Sequence, residues 1–293
     1  ITGIKPDFEK FDLTDAERTT DFFKRHKDIA GIIHFAAYKA VGDSVTEPLM
    51  YYRNNLTSLI NILQGMKDNA IQNIVFSSSC TVYGQPDELP VSESAPIKEA
   101  ESPYGNTKQI SEEIIRDTIK ATDLRAIALR YFNPIGAHES AIIGELPIGI
   151  PNNLVPYITQ TAIGIREFLR VFGDTYPTPD GTAIRDYIHV VDLALAHVIA
   201  VDRMINNNMK NDFEVFNLGT GNGYSVLEVI KSFEKVTGLK LNYKIVDRRE
   251  GDIIQVWANS DYSNKELGWK AEKGIDDMTL SAWKWEKALR ENS

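Results

Sequence analysis

Tyr104 and Lys108 stand four residues apart in the run Tyr-Gly-Asn-Thr-Lys, a spacing that puts both on one side of a helix, one turn apart. A free tyrosine has a pKa of about 10 and is a poor base at neutral pH. An ammonium beside it stabilises the phenolate, and three units of lowering would correspond to about 4 kcal/mol. The pair could then act as a general base on a hydroxyl. The same two residues are at home on a solvated helix face, so the spacing alone does not decide between the two. Its context does more: upstream, a strand-like run ends in Ser77-Ser78-Ser79-Cys80-Thr81-Val82-Tyr83-Gly84. Hydroxyls at the carboxyl end of a parallel strand lie where α/β proteins bind ligands. A serine there can hydrogen-bond both a substrate hydroxyl and the tyrosine oxygen, although a serine-rich turn is the plain alternative.

The elements that must position these residues alternate along the chain. Residues 30–37, 73–79 and 124–131 read as strands, the first two apolar enough for a sheet covered on both faces. Between them, 43–69 and 102–122 have helical spacing. In the latter, Ile110, Ile114, Ile115 and Ile119 share one half of the helical wheel, and Glu112, Glu113, Arg116 and Lys120 the other, polar half. Ser102 is a candidate N-cap, with Pro103 at the first helical position, where a missing N–H is harmless. Such alternation argues for right-handed βαβ units and an α/β fold with a doubly wound, Rossmann-type parallel sheet. After Asn133, Pro134, Pro147, Pro151 and Pro156 with Gly136, Gly144 and Gly149 interrupt regular structure. A domain transition is placed there, with helices expected at 190–204, 224–237 and 276–291 and a strand at 214–218.

Composition narrows the class. The 293 residues are 43% hydrophobic and 25% charged, and 32 basic against 41 acidic residues give a net charge of -9. That balance disfavours binding to nucleic acid or to an anionic membrane, which needs a basic face. No apolar run is long enough to span a bilayer. Cys80 is the single cysteine, which fits a reducing compartment and a cytoplasmic protein. The five histidines show no paired metal spacing, so no metal is expected. Gly219-Thr220-Gly221-Asn222-Gly223 mimics a dinucleotide loop, but Tyr224 stands where the third glycine belongs, so a tight strand-to-helix turn is the better reading. Asn55-Leu56-Thr57 fits a glycosylation pattern that a cytosolic chain makes incidental.

With these residues in view, the sequence resembles the extended short-chain dehydrogenase/reductase superfamily and, within it, the UDP-glucose 4-epimerases. The blocks that carry the resemblance are HFAAYKAVGDSV (34–45), YYRNNL (51–56), FSSSCTVYG (76–84), SPYGNTK (102–108), LRYFNPIGAH (129–138), GIPNNLVPYI (149–158), the stretch 171–194, FNLGTGNGYSVLEV (216–229) and RREGD (248–252). The resemblance implies NAD-dependent interconversion of UDP-galactose and UDP-glucose, by oxidation at sugar C4, rotation of the 4-keto sugar and re-reduction. Ser79, Tyr104 and Lys108 would be the catalytic set. Asp12, Leu13, Phe35, Ala36, Lys39, Asn54 and Tyr131, with the same three, match family positions around NAD. Tyr131, Asn133, Asn153, Leu154, Phe172, Arg185, Arg249 and Asp252 match contacts to the UDP-sugar, and guanidiniums suit a diphosphate because they fork it. Val256 falls where a bulky aromatic would exclude a 2-acetamido group, so N-acetylated UDP-hexoses are expected to fit as well. The resemblance further implies a homodimer through the two helical segments 43–69 and 102–122, whose apolar surplus includes Leu56, Leu59, Ile60, Leu63, Ile110 and Ile114. It also implies two domains: an NAD-binding domain at 1–134, completed by segments within 180–222, and a smaller C-terminal α/β UDP-sugar-binding domain at 135–293.

One departure and two rival readings weigh on this reading. The family opens with a strand and a glycine-rich turn that holds the NAD pyrophosphate, yet residues 1–41 contain only Gly3 and Gly31. Two strands and a helix of the family pattern are therefore expected to precede Ile1 in a longer protein, and a chain lacking them is expected neither to hold NAD nor to catalyse. The nearest rival, a sugar-nucleotide 4,6-dehydratase of the same superfamily, carries an Asp-Glu pair just after the strand-end hydroxyl. Here Cys80 and Thr81 stand at those places, and neither is a competent acid. A non-catalytic binding relative would explain a missing glycine loop, but not Ser79, Tyr104 and Lys108 together.

Overall fold

A computed structural model describes residues 1–248 and 253–291 of the chain. In chain order its elements are α1 (Ala16–Arg25), β1 (Ile32–His34), α2 (Val41–Thr46), α3 (Pro48–Asp68), β2 (Asn73–Ser79), a 3-10 turn (Cys80–Tyr83), α4 (Pro103–Ala121), β3 (Arg125–Tyr131), β4 (Asn133–Ile135), α5 (Leu154–Ala162), β5 (Leu169–Phe172), β6 (Ile184–His189), α6 (Val190–Ile205), β7 (Phe213–Leu218), β8 (Gly223–Ser225), α7 (Val226–Thr237), β9 (Tyr243–Val246), β10 (Gln255–Val256), a π-helical turn (Ser263–Leu267) and α8 (Ile275–Glu291).

Strands β1, β2, β3 and β7 form a parallel sheet in that order. Its hydrophobic strands require cover on both faces, and the alternation of their side chains supplies it. Ile74, Phe76, Ala126 and Ala128 pack under α1, α3 and α4 with Phe23, Leu59, Met66 and Ile115. Val75, Ile127 and Leu129 face the opposite way, onto Leu193, Ala196 and Ala200 of α6. Helix α1 lies so close to α3 that a Cβ at Gly65 would fall 2.1 Å from the Phe23 ring, so glycine is required there. A second sheet runs β10-β6-β4, with β8 antiparallel to β6, and β5 pairs with β9. A separate core of Val155, Ile158, Tyr187, Val229, Phe233 and Met278 sits beneath α5, α7 and α8.

Local signals set the element ends. The Ser102 hydroxyl accepts from Gly105 N at 3.2 Å with proline in the first turn, which starts α4 where the sequence predicts. Ser225 and Glu228 form a reciprocal capping box at α7, which starts two residues later than expected because 223–225 pair with β6. The single helix expected over 43–69 is two helices. Glu47 leaves the helical region (φ -126°, ψ 54°) ahead of Pro48, because the proline ring crowds the residue before it. The strand expected over 30–37 shortens to Ile32–His34.

Candidate functional site

The parallel register brings the carboxyl ends of the strands together: Ser79 is the ladder partner of Tyr131, and Tyr131 of Leu218. Ser79 ends β2 and caps the 3-10 turn, its hydroxyl accepting from Thr81 N at 3.2 Å. Helix α4 brings Tyr104 to that hydroxyl, and the bond from Ser79 favours the phenolate. One turn on, Lys108 is buried; its Nζ donates to the Ser77 carbonyl at 2.6 Å and lies 5.0 Å from the Phe76 ring centroid and 5.8 Å from that of Tyr104. The Ser77 and Tyr131 hydroxyls are hydrogen-bonded to each other.

The electrostatics differ from the sequence expectation. Burial, with the phenols of Tyr131 and Tyr51 and the thiol of Cys80 nearby, pushes the Tyr104 phenol above its usual value in spite of Ser79. Lys108 does not reverse this, because its ammonium is directed at the Ser77 carbonyl. Burial in turn pushes Lys108 down to about 8, with Glu112 opposing. Cys80, beside Ser79, is pushed up to about 12 by burial, so its thiol stays protonated.

Phe35 and Ala36 follow the carboxyl end of β1, and Phe35 keeps 55% of its surface exposed although its ring lies 4.5 Å from that of His197. An apolar ring held in solvent at a strand end, the exposed ammonium of Lys39, the half-buried amide of Asn54 and buried Lys108 are residue types that suit a flat ring, a ribose and a phosphate. Asp12 and Leu13, which the resemblance matches to a strand-end pair beside the adenine, lie in the turn that enters α1. There Asp15 N donates to Asp12 O at 3.0 Å, and the Asp12 carboxylate caps Thr14.

The substrate-matched residues come from the other sheets. Asn133 starts β4, Phe172 ends β5, and Arg185 on β6 is the ladder partner of Val256 on β10. Arg185 lies near enough to Cys80 to act on its charge, which joins this group to the end of β2. Val256 is buried among Val82, Tyr83, Val91 and Phe132. Asn153 is the N-cap residue of α5 and Leu154 its first residue. Glu145 bridges the two sets, accepting from Asn153 Nδ2 at 2.7 Å and from Lys39 Nζ at 3.5 Å. Arg249 and Asp252 lie outside the described residues.

Several supporting residues escaped the sequence reading. Glu112 is fully buried, not on a polar face, because Arg130 grips it with two hydrogen bonds of 2.8 and 2.6 Å. Asn55 is buried with its amide shared between the Tyr38 backbone (2.8 and 3.0 Å) and Thr107 Oγ1 (3.1 Å), which ties the cofactor-side loop to α4. Residues 219–222 turn between β7 and β8, so the expected turn leads into a short strand before α7 and not directly into a helix. The Asp186 carboxylate takes the turn's N–H groups, from Thr220 N at 2.9 Å and Gly221 N at 3.1 Å.

Against known proteins, the family model described as "GDP-mannose 4,6 dehydratase" matches residues 3–281. A UDP-glucose 4-epimerase of Drosophila melanogaster is 51% identical over 287 residues, covering 98% of this chain and 81% of the relative. That of Bacillus subtilis is 48% identical over 289 residues, covering 98% and 84%. The crystal structure of UDP-glucose 4-epimerase from Bifidobacterium longum in complex with NAD+ and UDP superposes with a TM-score of 0.95 at 46% identity, over 100% of this chain and 86% of the other.

Proposed function

The chain belongs to the UDP-glucose 4-epimerases of the extended short-chain dehydrogenase/reductase superfamily, and from that membership we propose that it interconverts UDP-galactose and UDP-glucose with NAD. The observation that carries the reading is the convergence of Ser79, Tyr104 and Lys108 at the carboxyl ends of β2 and β3, with the Ser79 hydroxyl at the Tyr104 phenol. NAD would supply the acceptor and donor of the hydride at sugar C4. Phe35, Ala36, Lys39, Asn54, Asp12 and Leu13 are the residues proposed to hold it.

Tyr104 takes the proton of the sugar 4-hydroxyl as C4 is oxidised and gives it back on reduction. Ser79 donates to the tyrosine oxygen and receives the sugar hydroxyl, so that oxygen, proton and base lie in line. Lys108 is more than half protonated at pH 7, given its value of about 8, and its ammonium favours the phenolate during turnover. Arg185, with Arg249, Asn153 and Phe172, holds the uridine diphosphate; Tyr131 and Asn133 flank the sugar. Dehydration is disfavoured because Cys80 keeps its proton and Thr81 is no acid.

The assay is conversion of UDP-galactose to UDP-glucose, with and without added NAD, on folded protein of verified mass. Conversion is expected of the full-length protein, and none from full-length protein supplied with NAD would refute the reading. A second activity, on UDP-N-acetylhexoses, is favoured by the small side chain of Val256 beside Arg185. Undiminished activity of Val256→Tyr on acetylated sugars would sink it, and because Val256 packs among Val82, Tyr83, Val91 and Phe132 a loss supports it only where activity on UDP-galactose is retained. The domain division proposed is 1–134, completed within 180–222, and 135–293. A homodimer is proposed through α3, whose Leu49, Met50 and Ile60 are exposed, whereas Leu59 and Leu63 belong to the core. Light scattering tests it. No helix among the described residues is long and apolar enough to cross a membrane, and the cytoplasm is the compartment proposed, on the strength of the single cysteine.

A further inference from the structure

Behind the catalytic set lies a layer of buried polar groups that the reaction above does not use. Tyr104, Lys108 and Glu112 recur every four residues, so one face of α4 delivers all three toward β2. The last three residues of β2 each meet a partner. Ser77 takes Lys108 on its carbonyl (2.6 Å), Ser78 donates to Glu112 Oε1 (2.7 Å), and Ser79 meets Tyr104. The register sets Ser78, Arg130 and Asn217 in one row across β2, β3 and β7, one residue short of the strand ends that carry Ser79 and Tyr131. Arg130 bonds Glu112 through Nε and Nη2, and its Nη1 donates to the Tyr83 hydroxyl at 3.0 Å. Tyr83 donates to Asn217 Oδ1 at 2.6 Å, and Asn217 Nδ2 to the Val91 carbonyl at 2.9 Å. Arg116 adds a bond to Glu112 of 3.2 Å.

A buried ion pair is a poor device for stability, because an apolar replacement of similar volume often does as well or better. What this one supplies is position: the α4 carboxylate accepts from Ser78 of β2 and from Arg130 of β3 and so joins the three elements. We propose that Glu112 is a positioning residue of the catalytic centre. Through Ser78 it fixes the strand end that presents Ser79, through Arg130 the strand end that presents Tyr131, and it is the negative charge that faces Lys108. The groups around Lys108 are Glu112 and Tyr104 from α4, the Ser77 carbonyl and Phe76 ring from β2, and His34 from β1, whose imidazole burial and Lys108 push down to about 4. Around Glu112 are Arg130, Arg116 and Ser78. Glu112 thus offsets the charge of two guanidiniums as well as facing the ammonium.

The activity readout rests on the epimerase reading, so the test has a second readout that does not. Ser78→Ala removes one hydroxyl and leaves the Glu112–Arg130 pair intact. It is expected to lower kcat for UDP-galactose about tenfold, with KM changed less than twofold and the fold retained. Glu112→Gln removes the charge and leaves Arg130 and Arg116 unopposed. Both changes drive Lys108 the same way, and its Cε resonance in carbon-13 lysine-labelled protein, assigned with Lys108→Met, is expected to titrate about one pH unit lower than in the parent. Wild-type kcat in Ser78→Ala, or a loss of rate that only tracks loss of folded protein, overturns the proposal. So does an unmoved Lys108 midpoint in folded Glu112→Gln; if that variant does not fold, Ser78→Ala decides alone. If the parent protein converts no UDP-galactose but the Lys108 midpoint moves, the epimerase reading fails and the positioning role stands.

Discussion

Lys108→Met should change stability in a direction that depends on pH. The folded-state value of Lys108 lies near 8 against 10.5 unperturbed. Between those values the unfolded chain binds the extra proton, so stability rises with pH across that window. Below about 8 both states are protonated and the penalty is complete. It amounts to about 3 kcal/mol, at roughly 1.4 kcal/mol per unit of lowering. By pH 9.5 the folded lysine is neutral and the penalty is smaller, so about 2 kcal/mol is recovered between pH 7 and 9.5. Methionine has no charge to desolvate but leaves the Ser77 carbonyl without its donor, a constant loss of about 1–3 kcal/mol. The difference between variant and parent therefore matters more than either value: relative to Lys108→Met, the parent should gain about 2 kcal/mol over that pH range. Cys80 and Tyr83 titrate alike in both proteins, and His34, which burial foremost holds down to about 4 in the parent, is neutral in both across this range, so all three cancel. Urea unfolding of both at pH 7 and 9.5 measures it. A difference constant to within about 0.5 kcal/mol would refute the reasoning, since a desolvated ammonium must respond to pH.

Arg130→Met leaves the Glu112 carboxylate buried with Ser78 and the half-exposed Arg116 as its partners. A loss of about 3–5 kcal/mol is expected, most of it restored in the double variant with Glu112→Leu; thermal denaturation of the three proteins checks this. Gly219→Ala sets a Cβ 2.3 Å from Asp186 Oδ2 and 2.7 Å from the Ala258 Cβ, so it should unseat the 219–222 turn and raise KM for UDP-sugars by disturbing neighbouring Arg185. Steady-state kinetics with an unchanged KM would contradict it. In the Lys39–Glu145 pair the ammonium is exposed and the carboxylate half-buried, so solvent screens it and Glu145→Gln should leave stability within about 0.5 kcal/mol. Removing that carboxylate from beside Lys39 and Asn153 should also tighten UDP binding about two- to fivefold in calorimetry, through reduced like-charge repulsion.

What was legible in the sequence was local. Tyr104 and Lys108 declare themselves because their relation is one helical turn, and the N-cap at Ser102 with Pro103 fixes where that turn begins. Ser79 is legible because a strand-like run ends on it. Glu112 was not legible: amphipathic patterning assigns a helix carboxylate to solvent unless its partner is known, and Arg130 is on another element, inside what reads as an apolar strand. A better rule was available in the four-residue spacing from Lys108, which places Glu112 on the same buried face. Asn55 was obscured in a similar way, since its neighbours Leu56 and Thr57 make it look like a surface acceptor while its amide bonds run to residues 38 and 107. The break between α2 and α3 could have been read from Pro48 alone.

Lys108 is the residue at which stability and chemistry pull apart. A lysine kept for stability would extend its ammonium to water, yet this one is buried against Phe76 and a backbone carbonyl at a penalty of about 3 kcal/mol. That placement brings its titration close to neutral pH and sets its charge one helical turn from a phenol that burial holds above its usual value. Removing either half of the arrangement defeats it. A solvated lysine would act on Tyr104 through water, and a fully neutralised one would not favour the phenolate at all. Glu112 sits where it limits how far Lys108 can fall, and its bonds to Ser78 and Arg130 keep it there. The buried carboxylate, the buried ammonium and the strand-end serine are consequently one unit: perturbing any of them should register at the other two.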